Sequence, residues 1–326
     1  MKIISFLLIL LFLHRPIFGE EILKLEDNFF PEGITISKNG DIYVGSLKEN
    51  KIVRFKNKEK VHEIFVPSNS NGLMSVIGII ADDKSKILWA CSSNPGVTNY
   101  PTDNPIVSLK AFDLNSGDPL NSYEFPNGGF CNDIALDDNG NVYATDSFNP
   151  RILRLNKSKS RLEVWFENKS FEGEGFNLNG ITFIDNKIYT VKMNSGELFK
   201  IEVEDNGKPT NFSKINLPRP LDKPDGIKAI DKESLLVVEN RAEGTWIGSL
   251  TKINLSKNIE MIKLREGLDT PTTVAIHRGK AWVLQAQFAH LFGDEKEISP
   301  SPFEIVGVKY KQSLLTSIKK LLNSIY

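Results

Sequence analysis

One frame of sequence recurs six times, and this repetition constrains the fold more than any other feature. Its clearest copy begins Glu32-Gly33-Ile34, continues TISKNGDIYVGS and ends KIVRF at Phe55. A second begins Asn132-Asp133-Ile134, continues ALDDNGNVYATDS and ends RILRL at Leu155. Both alternate apolar and polar residues, turn at an Asn-Gly pair (Asn39-Gly40, Asn139-Gly140) and resume alternation, the pattern of a β-hairpin. The same frame recurs at Asn179-Gly180-Ile181, Asp225-Gly226-Ile227, Ile77-Gly78-Ile79 and Thr272-Thr273-Val274, giving starts at 32, 77, 132, 179, 225 and 272. These intervals approach the length of a four-stranded propeller blade, and no convincing amphipathic helix interrupts them. A β-sandwich also uses short strands, but it does not account for one frame repeated around the chain. The expected fold is therefore all-β: a six-bladed β-propeller of four-stranded antiparallel blades over residues 20–310. Either EILKLED near the start or FEIVGVKY near the end supplies the strand that closes the ring.

The flanks differ in kind. Met1 and Lys2 precede an apolar run from Ile3 to Leu13, too short to span a bilayer, with Gly19 at a plausible cleavage point. Residues 1–19 are thus expected to be a signal peptide, and the protein to be exported, periplasmic or secreted, with no transmembrane segment after signal removal. Residues 311–326 carry Leu314, Leu315, Ile318, Leu321, Leu322 and Ile325 at helical spacing, which predicts a short amphipathic C-terminal helix docked on the propeller, with a membrane-surface helix as the alternative. The 40 basic and 41 acidic side chains nearly cancel, so no broad basic surface for nucleic acid is indicated. Cys91 and Cys131 are the only cysteines. Export permits a bridge, spacing does not decide pairing, and two separate thiols are the favoured reading. Asn156, Asn168, Asn211 and Asn254 begin N-x-S/T sequons, relevant where the source glycosylates exported proteins.

In a propeller the first strand of each blade lies nearest the axis, so its starting positions form a ring at one channel mouth. The ring reads Glu32, Ile77, Asn132, Asn179, Asp225 and Thr272. Oxygen ligands are what a hard dication needs, and the absence of Cys and His from the ring argues against zinc or copper. Glu32 and Asp225 match the charge of one divalent ion, and Asn132 and Asn179 add ligands without further charge. Calcium suits an irregular, oxygen-rich set better than magnesium, with another hard divalent cation as the alternative. A lone Asn before Gly is ordinary turn chemistry, but Asn132 precedes Asp133 and Glu32 is a poor turn former. The end of each second strand should return to the same mouth, which places Ser46, Ser92, Asp146, Lys192, Glu239 and Gln285 around the pocket wall. Of these, Asp146, Lys192 and Glu239, together with Asp133 beside the ring, are assigned to substrate contact. His290 and Gln287 stand in the loop QAQFAHLFGD, long enough to cover the mouth.

At PEGI (31–34), NDIALDDNG (132–140), LNGITF (178–183) and KPDGI (223–227) the chain resembles the gluconolactonase and senescence marker protein (regucalcin) family. It is more distantly similar to paraoxonases and diisopropylfluorophosphatase. The resemblance covers nearly the whole chain after the leader and implies a catalytic calcium on Glu32, Asn132, Asn179 and Asp225, the four residues that the repeat alignment also selects. Phe130 stands where the family has a substrate-contacting Arg, which implies a more apolar pocket wall. The expected activity is a calcium-dependent hydrolase acting on a small-molecule lactone or related ester. The metal polarises the carbonyl, and Asp225 is the catalytic residue, a general base with the role of nucleophile as the alternative. No G-x-S-x-G nucleophile elbow is present. The alternative is a non-catalytic, calcium-stabilised propeller that binds a ligand or a protein.

Overall fold

The computed structural model describes residues 21–100, 104–156 and 161–310. The expected signal peptide and C-terminal helix lie outside the described residues. Six four-stranded antiparallel sheets follow one another along the chain, forming a six-bladed β-propeller. The innermost strands are Pro31–Ile36, Ser75–Asp82, Cys131–Leu136, Leu178–Ile184, Pro224–Asp231 and Pro271–His277, each containing one start of the repeated frame. The second strands are Ile42–Ser46, Ile87–Ser93, Val142–Asp146, Lys187–Lys192, Ser234–Glu239 and Lys280–Gln285. These second strands are almost wholly buried, as expected of sheets covered on both faces. The Asn-Gly turns join the first two strands of blades one and three, with Gly40 and Gly140 in the left-handed region at φ 99° and 82°. Among the described residues the only α-helix is the single turn Ala289–Phe292. No helix there is long and apolar enough to cross a membrane.

Both candidate closing segments are used. Glu304–Lys309 is the third strand of the sixth blade, and Glu21–Lys24 pairs antiparallel with it as the fourth, Glu21 opposite Gly307 and Lys24 opposite Glu304. The last blade is therefore built from the two ends of the described chain. Thr272 Oγ1 donates to the Glu32 carbonyl at 2.9 Å, tying blade six to blade one along the axis as well.

A shared irregularity marks the start of every innermost strand. In each blade two residues of that strand oppose one of the second strand, as between Pro31 and Ile34 or between Pro224 and Ile227. Such a bulge removes two residues from regular pairing and re-aims their side chains. The first of the two is always the ring residue. The second is glycine in four blades. A Cβ on Gly180 would lie 2.7 Å from the Ile227 amide nitrogen, and one on Gly78 would lie 2.5 Å from the Asn132 carbonyl oxygen. Adjacent blades approach too closely there for a side chain.

Cys91 and Cys131, expected as separate thiols, are joined in a disulfide. Cys91 lies on the second strand of blade two and Cys131 on the innermost strand of blade three, with Cα atoms 5.2 Å apart. Chain spacing carries no information about which strands of neighbouring blades face each other, so only the fold reveals the pairing. The bridge closes a segment of 40 residues. Replacing both cysteines by alanine is expected to lower unfolding stability by about 2–4 kcal/mol, read as a lower denaturant midpoint; an unchanged midpoint would contradict this.

Candidate functional site

The bulges turn Glu32, Asn132, Asn179 and Asp225 into one cavity of about 280 Å³ at a mouth of the channel. All four are nearly inaccessible, with exposures of 8, 4, 4 and 5 %. Asn132 donates through Nδ2 to Ser147 Oγ at 2.9 Å, and that hydroxyl donates onward to the Leu178 carbonyl. With its nitrogen committed, Asn132 offers its amide oxygen. Asn179 points Nδ2 toward Met193 Sδ at 3.6 Å, and its buried Oδ1 has no hydrogen-bond partner. Asp225 accepts from Asn240 Nδ2 at 3.0 Å, and Asn240 is anchored on the Pro271 carbonyl at 3.1 Å.

Charge at this floor is unbalanced. Burial first, then the neighbouring charges of Asp225 and Asp133, holds the Glu32 carboxyl well above the ordinary carboxylate range, with Lys228 opposing. Burial and Asp133 likewise raise Asp225, opposed by hydrogen bonds from Asn240 and Asn179 and by Arg241. Buried carboxylates normally sit against a cation or change protonation. Lys228 serves Asp133, Nζ to Oδ2 at 3.7 Å, and that Oδ2 also accepts from the Ile181 amide of the next blade at 3.1 Å. Glu32 and Asp225 have no such ion pair among the described residues.

The donor set fits a hard divalent cation. Two carboxylates supply the charge, two carboxamide oxygens add neutral ligands, and the Asn179 oxygen is an acceptor buried without a donor. Neither His nor Cys is among the residues lining the cavity.

The second ring falls differently from its sequence assignment. Asp146, Lys192 and Glu239 pair directly opposite Cys131, Leu178 and Pro224, the residues just before the ring, and so share their face of the sheet. One residue further on, alternation brings Met193 and Asn240 to the cavity, together with Leu47 of blade one. Asp146 is fully buried, bound to Arg151 Nε at 2.9 Å, and accepts from the Phe130 and Phe148 amides at 2.9 and 3.1 Å. Lys192 Nζ donates to the Ser170 and Glu172 carbonyls at 2.9 and 2.6 Å. Glu239 holds Arg219 through two bonds of 2.7 and 2.8 Å. Burial alone would raise the Glu239 carboxyl, but these bonds and those from Asp222 and Thr251 bring it below its ordinary value. All three fix loops around the mouth. Asp133 sits on the innermost strand and does not line the cavity. His290 ties its own loop through Glu295 and Ile298, while that loop sends Phe288 and Phe292 to the cavity wall.

Phe130 lines the cavity as expected and does not stand alone. It packs on Phe148 and Phe176, centroids 5.1 and 5.0 Å away. Arg241, also on the cavity lining, lies over the Trp246 ring, 4.3 Å from its centroid. The sequence reading missed Phe176, Asn240, Arg241 and Trp246. Register parity across the bulge is the one signal that points to Asn240; the others sit on loops without periodicity.

No protein-family model matches the chain, and no curated protein matches it. Solved structures do. The chain is similar to a luciferin-regenerating enzyme at 14% identity, covering 91% of this chain and 99% of that chain, with a TM-score of 0.62. A gluconolactonase from Xanthomonas campestris matches at 11% identity over 89% of this chain and 90% of that chain, with a TM-score of 0.60. A virginiamycin B lyase from Staphylococcus aureus matches at 15% identity over 90% of this chain and 99% of that chain, with a TM-score of 0.59. At such identities the likeness is one of fold, and the fold shared is the β-propeller that the repeated frame of this sequence builds.

Proposed function

We propose that the protein is a calcium-dependent hydrolase of a lactone or related ester, with the cation held by Glu32, Asn132, Asn179 and Asp225. The observation that carries this reading is the cavity floor: two buried carboxylates with no ion pair among the described residues, beside a buried amide oxygen, Asn179 Oδ1, with no hydrogen-bond partner there. The fold likeness to a gluconolactonase supports the reaction class, and the resemblance in sequence supports the same four residues. When bound, the cation supplies Lewis acidity, polarising the substrate carbonyl and favouring the negative charge that develops on its oxygen.

The chain's own residues do the rest. Asp225, held by Asn240, takes a proton from a water as that water's oxygen bonds to the carbonyl carbon. The acyl C–O bond then breaks, and the proton passes to the leaving oxygen, giving an acid and an alcohol, or a hydroxy acid from a lactone. Phe130, Phe176 and Phe288 wall the cavity with apolar surface and limit access of bulk water. An exported, secreted or periplasmic location remains part of this proposal, resting on the apolar run from Ile3 to Leu13.

The test is metal content and hydrolysis of a panel of lactones and aryl esters, before and after chelation. Turnover abolished by the chelator and restored by calcium is expected. One calcium per chain with no turnover on any substrate would replace the enzyme reading with that of a binding propeller.

A further inference from the structure

Above its polar floor the cavity wall combines aromatic surface with a cation. Phe130 and Phe176 line it and pack with Phe148 in one aromatic cluster, and Phe176 remains 39 % exposed. Apolar area left facing a cavity gains about 25 cal/mol for each Å² that a ligand covers. The cation is Arg241. Stacking on Trp246 orients its guanidinium plane but engages none of its N–H donors. Its hydrogen bond to Asn240 Oδ1 is long, 3.3 Å. Asn240 stands between Arg241 and Asp225, donating to the Asp225 carboxylate through the other end of its amide. Burial costs this guanidinium solvation and lowers its basicity, while Asp225 opposes that shift. Arg241 thus lines the cavity as an oriented cation with donors to spare.

We propose, resting on the hydrolase reading above, that the substrate is an ester or lactone bearing a second, free carboxylate and an aryl or branched-alkyl body. The body lies against Phe130 and Phe176, and the carboxylate pairs with Arg241. A planar guanidinium matches a carboxylate in a two-pronged pair. One guanidinium also balances one negative charge, so a dianionic phosphate would leave excess charge beside Glu32 and Asp225. A cavity of about 280 Å³ has room for one such small molecule.

The experiment uses the full chain with calcium present and two matched probes, the monomethyl ester of phenylsuccinate, a monoanion, and the neutral dimethyl ester. The wild type should prefer the monoanion. In Arg241→Gln the ratio of kcat/KM for monoester over diester should fall about 30-fold, in line with loss of a charge-assisted hydrogen-bonded pair, with the change carried by KM; Arg241→Lys should recover part of it. An unchanged ratio in Arg241→Gln, whether or not both rates fall, would overturn the proposal and leave Arg241 acting through Asn240 on Asp225. If neither ester is turned over by any form, the panel of lactones and aryl esters decides the hydrolase reading, and calorimetric binding of 3-phenylpropionate decides this one. Binding by the wild type that weakens at least tenfold in Arg241→Gln upholds the carboxylate site, and no binding by the wild type removes it.

Discussion

Replacing Asp225 by Asn should lower kcat about 1,000-fold, within the range that a positioned general base supplies, without unfolding the protein. The substitution preserves shape, and an asparagine oxygen at 225 can still accept from Asn240 Nδ2, which now donates to the Asp225 carboxylate at 3.0 Å. It removes the basicity that accepts a proton and one unit of charge from the cation site. Rates are therefore to be measured at saturating calcium, so that weaker metal binding is not mistaken for lost chemistry. Circular dichroism should be unchanged. A variant retaining a tenth or more of wild-type kcat would mean that Asp225 is not the base.

Stripped of divalent cations, the protein should lose stability as pH rises from the ordinary carboxylate range toward neutrality, and calcium should reverse that loss. The folded state raises Glu32 and Asp225 well above their ordinary values of 4.5 and 3.8, chiefly by burial. A carboxyl whose folded pKa is raised binds its proton more tightly when folded. Its stabilisation is complete below the unfolded value and disappears as pH climbs through the folded one. Calcium selects the ionised form, so its contribution grows over the same interval. It should reach about 4 kcal/mol when free calcium is 1,000 times its dissociation constant. Thermal unfolding from about pH 4 to 8, with chelator and with calcium, should give two curves that diverge as pH rises. Glu32→Gln should flatten the chelator curve and shrink the gap. Parallel curves in the wild type would show that no cation shares this site with the carboxylates.

Fold and floor were legible in the sequence for one reason: an innermost propeller strand repeats its frame because each blade solves the same packing problem. The bulge itself cannot be read from the chain, yet it sits at the same offset in all six blades, so aligning frames still superposes Glu32, Asn132, Asn179 and Asp225. The wall was less legible. Side chains alternate along a strand, so an error of one residue selects the opposite face, which is why Asp146, Lys192 and Glu239 brace loops while Met193 and Asn240 reach the cavity. Phe176 and Trp246 enter from loops, where no period places them. Cys91 and Cys131 meet across a blade boundary that is visible only in three dimensions.

The closure of the sixth blade has a consequence for how the chain reaches its native state. Glu21–Lys24 is synthesised ahead of the whole ring, yet its partner Glu304–Lys309 is among the last described segments to be made. Until then the short strand has no ladder to join, and five sheets can assemble while the sixth lacks its outer edge. Pairing at such separation carries a high loop-closure cost and is a slow kind of step. Once made, it converts an open stack with two terminal sheets into a circle with none. Opening that circle then requires the first and last segments to part together, so slow unzipping from either terminus is replaced by a single cooperative release.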